Sequence, residues 1–471
     1  MSMQRPLFSV AIVLCLLVLS GSSVSWAQRA NGAQQQEFGQ PEQATWGPRL
    51  PRPVSDRDYY DNGRPDPLKV ELGRLLFFDK LLSGNRNISC ATCHHSLTDT
   101  GDGLSLPVGE GGRGLGMTRD TGSEEDAIHE RVPRNAPPVF NLGAKEFHRM
   151  FHDGRLEVDS SQPSGFRNPA GDDFPKGLDN VLAAQAMFPV TSMTEMAGQG
   201  DENELSQAAE LDDLPLLWER LAIRLRNNSI YVNLFIEAFA DIDTAADITY
   251  VHAANAIGAF EASAWRADMS PFDRFLRGDR QAMSARARKG MNLFYGKAGC
   301  AECHSGPFLT DHEFHAVCMP QIGPGKGDGP SGHEDFGREQ VTGDEADRFK
   351  FRTPSLRNVA LTGPWGHAGA FNNLRDMARH QLDTISSMQT YDPYQVVLPY
   401  RKDLAEIDFL VLNDPELVED IVEANELRPR RLTQKEFELL MEFMYALTDP
   451  NSMDIRSDTP MMVPSGLPMA D

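Results

Sequence analysis

The chain has 471 residues, of which 40% are hydrophobic and 8% aromatic, and this is enough for two or three domains with ordinary cores. It carries 45 lysines and arginines against 68 aspartates and glutamates, a formal charge of −23. That charge argues against a nucleic-acid partner, and it suits either plain solubility or the docking of a basic protein.

The first 27 residues are typical of a secretory signal peptide. Arg5 supplies the positive end, residues 7–19 form the apolar run, and Ser25-Trp26-Ala27 is a small-x-small cleavage site. The apolar run is short for a membrane span, and an uncleaved anchor is the alternative interpretation. Because no other long apolar stretch follows, we expect an exported protein without stable membrane insertion, located in a bacterial periplasm.

The rest of the chain predicts helices separated by long loops. After an irregular lead-in over residues 28–66, Leu68, Leu72, Leu75 and Leu76 share one helical face. Further amphipathic helices are predicted within LDDLPLLWERLAIRL, TYVHAANAIGAFEASAW and TQKEFELLMEFMYALTD. The last of these begins with a capping box of Thr433 and Glu436. Alternation typical of strands is scarce, so we expect a mainly α protein.

Two copies of one five-residue pattern use four of the six cysteines: CATCH at 90–94 and CAECH at 300–304. In C-x-x-C-H the two thiols can add to the vinyl groups of haem, and the histidine is placed to ligate the iron. This predicts two covalently bound c-type haems. The predicted attachment and ligand residues are Cys90, Cys93, His94, Cys300, Cys303 and His304. Zinc held by the four cysteines is the alternative, and it is disfavoured because zinc modules usually cluster their ligands locally.

The surroundings of the two motifs also match. Each motif follows a short helix and a glycine-containing break, and the similar stretches PRNAPPVFNLG (133–143) and FRTPSLRNVAL (351–361) come after them. This weak internal repeat predicts two cytochrome c-like helical haem domains with long loops. We place them at residues 28–245 and 246–450, followed by a disordered tail over 451–471.

Longer stretches resemble the bacterial di-haem cytochrome c peroxidases and the related MauG enzymes, which mature a protein-derived tryptophan cofactor. The similar stretches include LGRLLFFDKLLSGNRNISCATCH, FPVTSMTEMAG, FEASAWRADMSPFDRFLRGD and TPSLRNVALTGPWGHAGAF. Together with others they cover roughly residues 66–385 and the last helix. The resemblance implies that the N-terminal haem is peroxidatic and that the C-terminal haem supplies it with electrons.

The resemblance also implies residues around the peroxidatic haem. It assigns proton transfer to Glu195 in TEMAG, a role that a carboxylate beside an open haem can fill. It places Gln185, Pro189 and His367 in the same pocket. The alternatives are an exposed carboxylate at a helix end for Glu195 and a solvated loop histidine for His367.

A calcium ion between the haems is implied as well. Its ligands would be the side chain of Asn135 and the backbone carbonyls of Thr362 and Pro364. Oxygen donors of this kind suit calcium. Without the resemblance, Asn135 would be read as a turn-capping residue.

Three positions depart from the family pattern. Where the best-known peroxidases have a histidine that caps the resting first haem, this chain has Glu110. We therefore expect a first haem that is open or water-bound, with His129 as the alternative cap. Where the family usually has a tryptophan between the haems, this chain has His152 in FHDGR, and that makes storage of oxidising equivalents across both haems doubtful.

The third departure is the distal ligand of the second haem, normally methionine or tyrosine. Gln381 occupies the corresponding position, and His380 beside it is a much better iron ligand. We therefore predict that His380 ligates the second iron. The alternatives are Met377, Met388 or Tyr391 as ligand, with His380 merely packed on its helix.

These features lead to three functional hypotheses. The first is a peroxidase that reduces hydrogen peroxide with electrons from a small cytochrome c or cupredoxin. The second is a MauG-like enzyme that oxidises tryptophan or tyrosine residues of a partner protein, and the third is a non-catalytic electron carrier. The resemblance further allows a homodimer. Cys318 is expected to be a buried free thiol.

Overall fold

The computed structural model describes residues 50–123 and 127–469, so the predicted signal peptide and residues 28–49 of the lead-in lie outside the described residues. The α-helices run, in chain order, over Pro67–Phe78 (α1), Cys90–Cys93 (α2), Val181–Gln185 (α3), Glu204–Glu210 (α4), Leu214–Arg226 (α5), Ser229–Ala238 (α6), Tyr250–Ala264 (α7), Pro271–Leu276 (α8), Ala285–Phe294 (α9), Glu339–Thr342 (α10), Leu374–Leu382 (α11), Thr384–Gln389 (α12), Lys402–Ala405 (α13), Leu410–Asn413 (α14), Pro415–Glu423 (α15) and Gln434–Tyr445 (α16).

Strands are short and few among these residues. Arg149–Met150 (β1), Leu156–Val158 (β2) and Phe166–Arg167 (β3) form one antiparallel sheet in that order. Phe314–His315 (β4) pairs with Phe351–Arg352 (β5), and Phe314 lies opposite Arg352. The prediction of a mainly helical protein is confirmed.

The helix that leads to the first motif, α1, packs closely against α7. Asp66 caps its start by accepting the backbone N–H of Leu68 at 2.8 Å. Leu72 and Leu76 are fully buried, as the predicted apolar face requires, whereas Leu68 in the first turn is exposed, so the prediction is wrong for that residue. At Gly73 a Cβ would lie 1.8 Å from the carbonyl oxygen of Ala256, so only glycine permits this approach of the two helices.

The helix that leads to the second motif, α9, packs against α16 in the same way. A Cβ at Gly290 would lie 1.8 Å from the carbonyl oxygen of Leu439. The predicted capping box of Thr433 and Glu436 is present at the start of α16. Each motif thus follows a helix that is held to its partner through a glycine.

Two large hydrophobic clusters surround these helix pairs. The first is built mainly from residues 54–267, and the second from residues 272–447. Smaller clusters lie around Phe371 and around Cys318, where α14 and α15 pack, and around Leu104, where α13 packs. Because the described residues belong to one compact unit, the internal repeat and the boundary between residues 245 and 246 stay predictions.

The tail differs from the predicted disorder. Ile455 and Val463 are buried in the first cluster, and the side-chain hydroxyl of Ser465 donates to Asp79 at 2.6 Å. Asp79 is fully buried and also accepts the hydroxyl of Tyr231 at 2.7 Å. The tail is therefore ordered up to residue 469, because it supplies a donor to a buried carboxylate.

Within residues 50–123 and 127–469, no helix combines the length and the apolar character that crossing a bilayer requires.

Candidate active site

The first motif forms a single helical turn that presents its histidine. Ser89 caps α2 together with Thr92, and the backbone N–H of His94 donates to the carbonyl of Cys90 at 3.0 Å. Nδ1–H of His94 donates to the carbonyl of Thr100 at 3.0 Å, which orients the ring. Burial lowers the pKa of His94, so the neutral imidazole offers Nε2 as a metal ligand.

The second motif repeats this arrangement on a 3₁₀ turn, Cys300–Glu302. The backbone N–H of His304 donates to the carbonyl of Cys300 at 2.9 Å, and Nδ1–H donates to the carbonyl of Leu309 at 3.3 Å. Burial lowers the pKa of His304 as well. All four motif cysteines are free thiols, so both motifs suit thioether attachment of haem with the histidine Nε2 on iron.

A cavity lies beside the first motif. Its walls come from α1, α3, α7, the 3₁₀ and π-helical turns between residues 189 and 197, and the segments 132–139 and 151–155. Gln185, Pro189 and Glu195 all line it together with Cys90 and His94. The structure therefore brings three of the four predicted catalytic residues to the predicted attachment site.

Glu195 lies on a single π-helical turn, Met193–Ala197, a geometry that is frequent at functional sites. Ser192 caps the turn by accepting the backbone N–H of Glu195 at 3.3 Å. Burial raises the pKa of Glu195, against the smaller opposing effect of Arg155. A carboxyl in this setting holds its proton at higher pH than an exposed glutamate does.

Neither Glu110, at the position of the family's capping histidine, nor His129, the alternative cap, lines the cavity. Glu110 is buried and does not line the cavity, and its backbone N–H donates to the carbonyl of Glu195 at 3.1 Å. His129 is exposed, and its backbone N–H donates to the side chain of Gln199 at 2.6 Å. Among the described residues that line the cavity, the only histidines are His94 and His152.

His152 and His367 both form a hydrogen bond with the backbone of Asn135, but only His152 lines the cavity. His152 lines the cavity, donates from Nε2 to the carbonyl of Asn135 at 3.0 Å, and has a pKa lowered by burial to about 4. His367 does not line the cavity. Its ring stacks on Phe351 with centroids 3.7 Å apart, and burial lowers its pKa to about 3. The structure thus places His367 behind the cavity wall rather than in it.

A buried ion-pair network connects this wall to the loop over residues 318–350. Arg134 donates to both carboxylate oxygens of Asp335 at 2.7 Å and to Asp153 at 2.5 Å. Asp153 also pairs with Arg155 at 3.2 Å. Because three of these four side chains are buried, their positions relative to one another are strongly constrained.

On the side of the second motif, His380 is fully buried on α11. Its Nε2–H donates to the carbonyl of Val317 at 2.9 Å, and its ring packs on Phe371 at 5.0 Å. Burial lowers its pKa to about 4. Nδ1 is buried and finds no hydrogen-bond partner among the described residues. The opposite face of α11, with Ala378 and Leu382, packs against the cluster that includes Cys300.

Two of the three alternative ligands share a hydrophobic cluster with Phe371, on which His380 packs, and the third lies in a different cluster. Met377 and Tyr391 pack in the same small cluster as Phe371, and the hydroxyl of Tyr391 donates to the carbonyl of Ala370. Met388 is buried in the cluster around Cys318. Cys318 itself is a buried free thiol, as expected.

Comparison with known proteins identifies the family. A family model described as di-haem cytochrome c peroxidase matches residues 67–281. The cytochrome c551 peroxidase of Pseudomonas aeruginosa is 32% identical over 326 residues, which is 69% of this chain and 75% of that protein. The methylamine utilization protein MauG of Methylorubrum extorquens is 30% identical over 316 residues, 67% of this chain and 69% of that protein.

The chain belongs to the di-haem cytochrome c peroxidase and MauG family. Its relatives include oxidoreductases named for their use of cytochrome c and peroxide, and this chain is an enzyme of that class. The family implies two haem c groups, which the geometry of both motifs fits.

A solved structure supports the fold. A MauG-like protein associated with microbial copper homeostasis superposes with a TM-score of 0.55 at 23% identity. The superposition covers 89% of this chain and 98% of that one. At this identity the similarity concerns the fold alone.

The calcium site implied by the family is only partly assembled. The side-chain amide of Asn135 donates from Nδ2 to the carbonyls of Leu104 and Ser105 at 2.8 and 3.2 Å, which leaves Oδ1 as its ligand atom. The backbone N–H of Asn135 donates to the carbonyl of His367 at 2.8 Å. His367 belongs to the loop that also contains Thr362 and Pro364, so this bond connects that loop to Asn135. The calcium ion therefore stays a proposal.

Sequence reasoning missed several residues of this candidate site. Glu261 lines the cavity from α7, and burial raises its pKa to about 8. It follows Ile257 by one helical turn, so the periodicity of α7 could have marked it as an inward-facing acid. Arg155 and Lys326 also line the cavity. Lys326 comes from a distant glycine-rich loop, and no sequence signal places it there.

Proposed function

We propose that this protein is a di-haem peroxidase that reduces hydrogen peroxide to water at the first site, with electrons delivered through the second. The observation that carries this proposal is the cavity in which Glu195 and Gln185 face the same space as Cys90, Cys93 and His94. When bound there, haem supplies an iron that binds peroxide and exchanges electrons with it.

The residues of the chain would handle position and protons. His94 would hold the iron through Nε2, with its ring oriented by the carbonyl of Thr100. Glu195 would take a proton from one oxygen of hydrogen peroxide and deliver it to the other, so that the O–O bond can break with water as the leaving group. Two further protons and two electrons complete the conversion of one peroxide to two waters. Burial raises the pKa of Glu195, and this direction suits a carboxyl group that must both take up and release a proton.

Gln185 and Pro189 would shape the space above the iron. Gln185 ends α3, and Pro189 begins the 3₁₀ turn that precedes Glu195. An amide side chain can donate to a bound oxygen, whereas proline has no N–H to offer. His367 would act on this space only through Asn135.

The second site would relay electrons from a small cytochrome c or cupredoxin. We propose that His304 and His380 would hold the iron of this site, with His380 contributing Nδ1, because that buried atom finds no partner among the described residues. Replacing His380 by leucine should then change the low-spin signal of one haem and leave its attachment intact. An unchanged signal would assign the ligand to Met377, Met388 or Tyr391.

A second candidate is a MauG-like enzyme that oxidises tryptophan or tyrosine residues of another protein. Two features favour it: the position of the family's capping histidine holds Glu110, and the second site offers a histidine rather than a methionine. Steady-state turnover with reduced cytochrome c and peroxide separates the two candidates. Rapid turnover supports the peroxidase, and peroxide reaction without turnover supports protein oxidation.

Electron paramagnetic resonance of the resting ferric holoprotein, with and without peroxide, tests the proposal directly. We expect a high-spin signal from the first haem, a low-spin signal from the second, and loss of the high-spin signal after peroxide addition. Two low-spin haems that ignore peroxide would contradict both enzymatic candidates and indicate a passive electron carrier.

We also propose the finer features that the family suggests. These are export to the periplasm, one calcium ion between the haems held by Asn135, Thr362 and Pro364, and assembly as a homodimer. Metal analysis after dialysis against a chelator tests the calcium ion. Light scattering of the holoprotein tests the dimer.

A further inference from the structure

Glu110 lies where two loops meet the turn that carries Glu195. It is 2% exposed, and its side chain does not line the cavity. Its Oε1 accepts the side-chain amides of Asn85 at 2.8 Å and Asn87 at 2.6 Å. Two charge-assisted hydrogen bonds to one carboxylate oxygen make this a strong contact between separate segments.

One side of this contact is the segment that leads to the first haem attachment. Asn87 comes three residues before Cys90, and the hydroxyl of Ser83 accepts the backbone N–H of Ile88 at 3.3 Å. A shift of this segment would move the attachment cysteines and His94 with it.

The other side is the turn of Glu195 itself, which is held at its middle residue and at its last residue. The backbone N–H of Glu110 donates to the carbonyl of Glu195 at 3.1 Å. At the far end, Asn203 donates from Nδ2 to the carbonyl of Ala197 and to Oδ1 of Asn85, both at 3.0 Å. The contacts of Glu110 and Asn85 thus connect the attachment segment to the middle and to the C-terminal end of the turn that carries Glu195.

Close backbone approach leaves this assembly little room to shift. A Cβ at Gly109 would lie 1.8 Å from the carbonyl oxygen of Thr194, and one at Gly84 would lie 1.9 Å from that of Ala197. Both loops therefore pack directly on the turn through glycines, and the carboxylate of Glu110 joins the two loops to each other.

We propose that Glu110 is a positioning residue, which sets the distance between Glu195 and the haem attachment segment through Asn85 and Asn87. This inference rests on the proposed role of Glu195 as the proton-transferring residue. It also explains why this chain can have a glutamate where the family has a capping histidine. The side chain of Glu110 would hold Glu195 in position instead of approaching the iron.

The test compares Glu110→Ala, Glu110→Gln and the double variant Glu110→Ala/Glu195→Gln, all as holoproteins with both haems attached. We expect Glu110→Ala to lower the second-order rate constant for peroxide about tenfold, since a small displacement of a proton-transferring group is costly. Glu110→Gln keeps an acceptor oxygen and should retain most of the rate. Glu210→Gln, an exposed charge change on α4, serves as the control.

The double variant decides whether Glu110 acts through Glu195. If it does, Glu110→Ala causes no further loss once Glu195 has been replaced. An equal loss in both backgrounds, or no loss in the single variant, would overturn the inference. If Glu110→Ala does not fold, the same cycle is run with Asn87→Ala, which removes one of the two donors.

A second measurement separates failure of this inference from failure of the proposed function. Binding of hydrogen cyanide to a ferric haem also requires a nearby base to take the proton. We expect Glu110→Ala to slow cyanide binding at the first haem, and Glu195→Gln to remove this sensitivity. A wild-type protein that ignores peroxide would contradict the proposed function, and the cyanide result would still decide the role of Glu110.

Discussion

The two C-x-x-C-H motifs are nearly identical locally and differ in their surroundings. In both, the histidine donates from Nδ1 to a backbone carbonyl, that of Thr100 in one and that of Leu309 in the other. Beside the first motif lies a cavity with Glu195, an acid whose pKa burial has raised.

The second motif lies beside an ion-paired histidine. His315 is next to Cys303, with Nε2 at 3.0 Å from Asp311 and Nδ1 at 3.4 Å from Glu426. These side chains are partly exposed. The motif itself therefore decides only attachment and the proximal ligand. Under the proposed function, the buried acid beside the first motif would serve the reaction with peroxide, and the partly exposed ion pairs beside the second would lie where an electron donor can dock.

The largest effect should come from removing one attachment site at a time. Cys90→Ala/Cys93→Ala should lose one of two haems and all reaction with peroxide, because the cavity then lacks its cofactor. Cys300→Ala/Cys303→Ala should lose the other haem and retain a single reaction with peroxide without turnover. Intact mass and stopped-flow absorbance measure both outcomes. Equal peroxide reactivity of the two variants would contradict the proposed division between the sites.

Many features of the fold and of the two sites could be predicted from the sequence, because the signals for them are local. The motifs, the helix of Leu72 and Leu76, and the capping box at Thr433 depend on residues within a few positions of one another. The ordered tail could not be predicted, since Ser465 and Asp79 are 386 residues apart and nothing in either segment indicates the contact. The packing around Glu195 could not be predicted either, because the loops that form it are far apart in the sequence.

The next largest effect is expected for Glu195→Gln, which tests whether the carboxyl group beside the first motif transfers protons. Removal of a positioned acid–base group typically costs 10²- to 10⁴-fold in rate, and we expect a loss of about that size in peroxide reduction. Haem content and the resting spectrum of the second haem should not change. Stopped-flow kinetics with peroxide measure the loss, and Glu210→Gln is the matched control. A variant with wild-type rates would exclude Glu195 from proton transfer.

Arg134→Met tests what connects the first site to the loop over 318–350. The substitution leaves the buried carboxylates of Asp153 and Asp335 without their shared cation, which should cost about 3–5 kcal/mol in unfolding free energy. Arg456→Met, which breaks the exposed pair with Asp454, should have a much smaller effect, because solvent screens that pair. Denaturant unfolding followed separately at each haem gives both values. Equal destabilisation by the two variants would contradict a structural role for the buried network.

The same variant makes a prediction about pH. Burial alone would raise the pKa of Asp153 and of Asp335, but Arg134 lowers both below their ordinary values. A carboxylate with a lowered folded-state pKa contributes stability above its unfolded pKa, and this stability is lost as the pH falls below it. Wild-type protein should therefore lose stability below about pH 4, and Arg134→Met should lose less over that range.

The smallest effect is expected from substitutions that disturb one helix pair at a time. Alanine normally stabilises a helix by about 1 kcal/mol relative to glycine, but at Gly73 and Gly290 the added Cβ would meet a carbonyl oxygen of the partner helix at 1.8 Å. The overpacking should therefore outweigh the gain and cost about 1–3 kcal/mol. Gly73→Ala should broaden the spectrum of the first haem only, and Gly290→Ala that of the second only.

Gly101→Ala provides the control, since its Cβ would lie no closer than 3.8 Å to a neighbouring atom. Resonance Raman spectra of the holoproteins report the two haems individually. If Gly73→Ala perturbed both haems equally, the helix pairs would act as one unit, and the contrast between the sites would have to arise from their side chains alone. A response confined to one haem in each variant would instead show that each motif is supported by its own helix pair, so that the surroundings of one haem can change without altering the other.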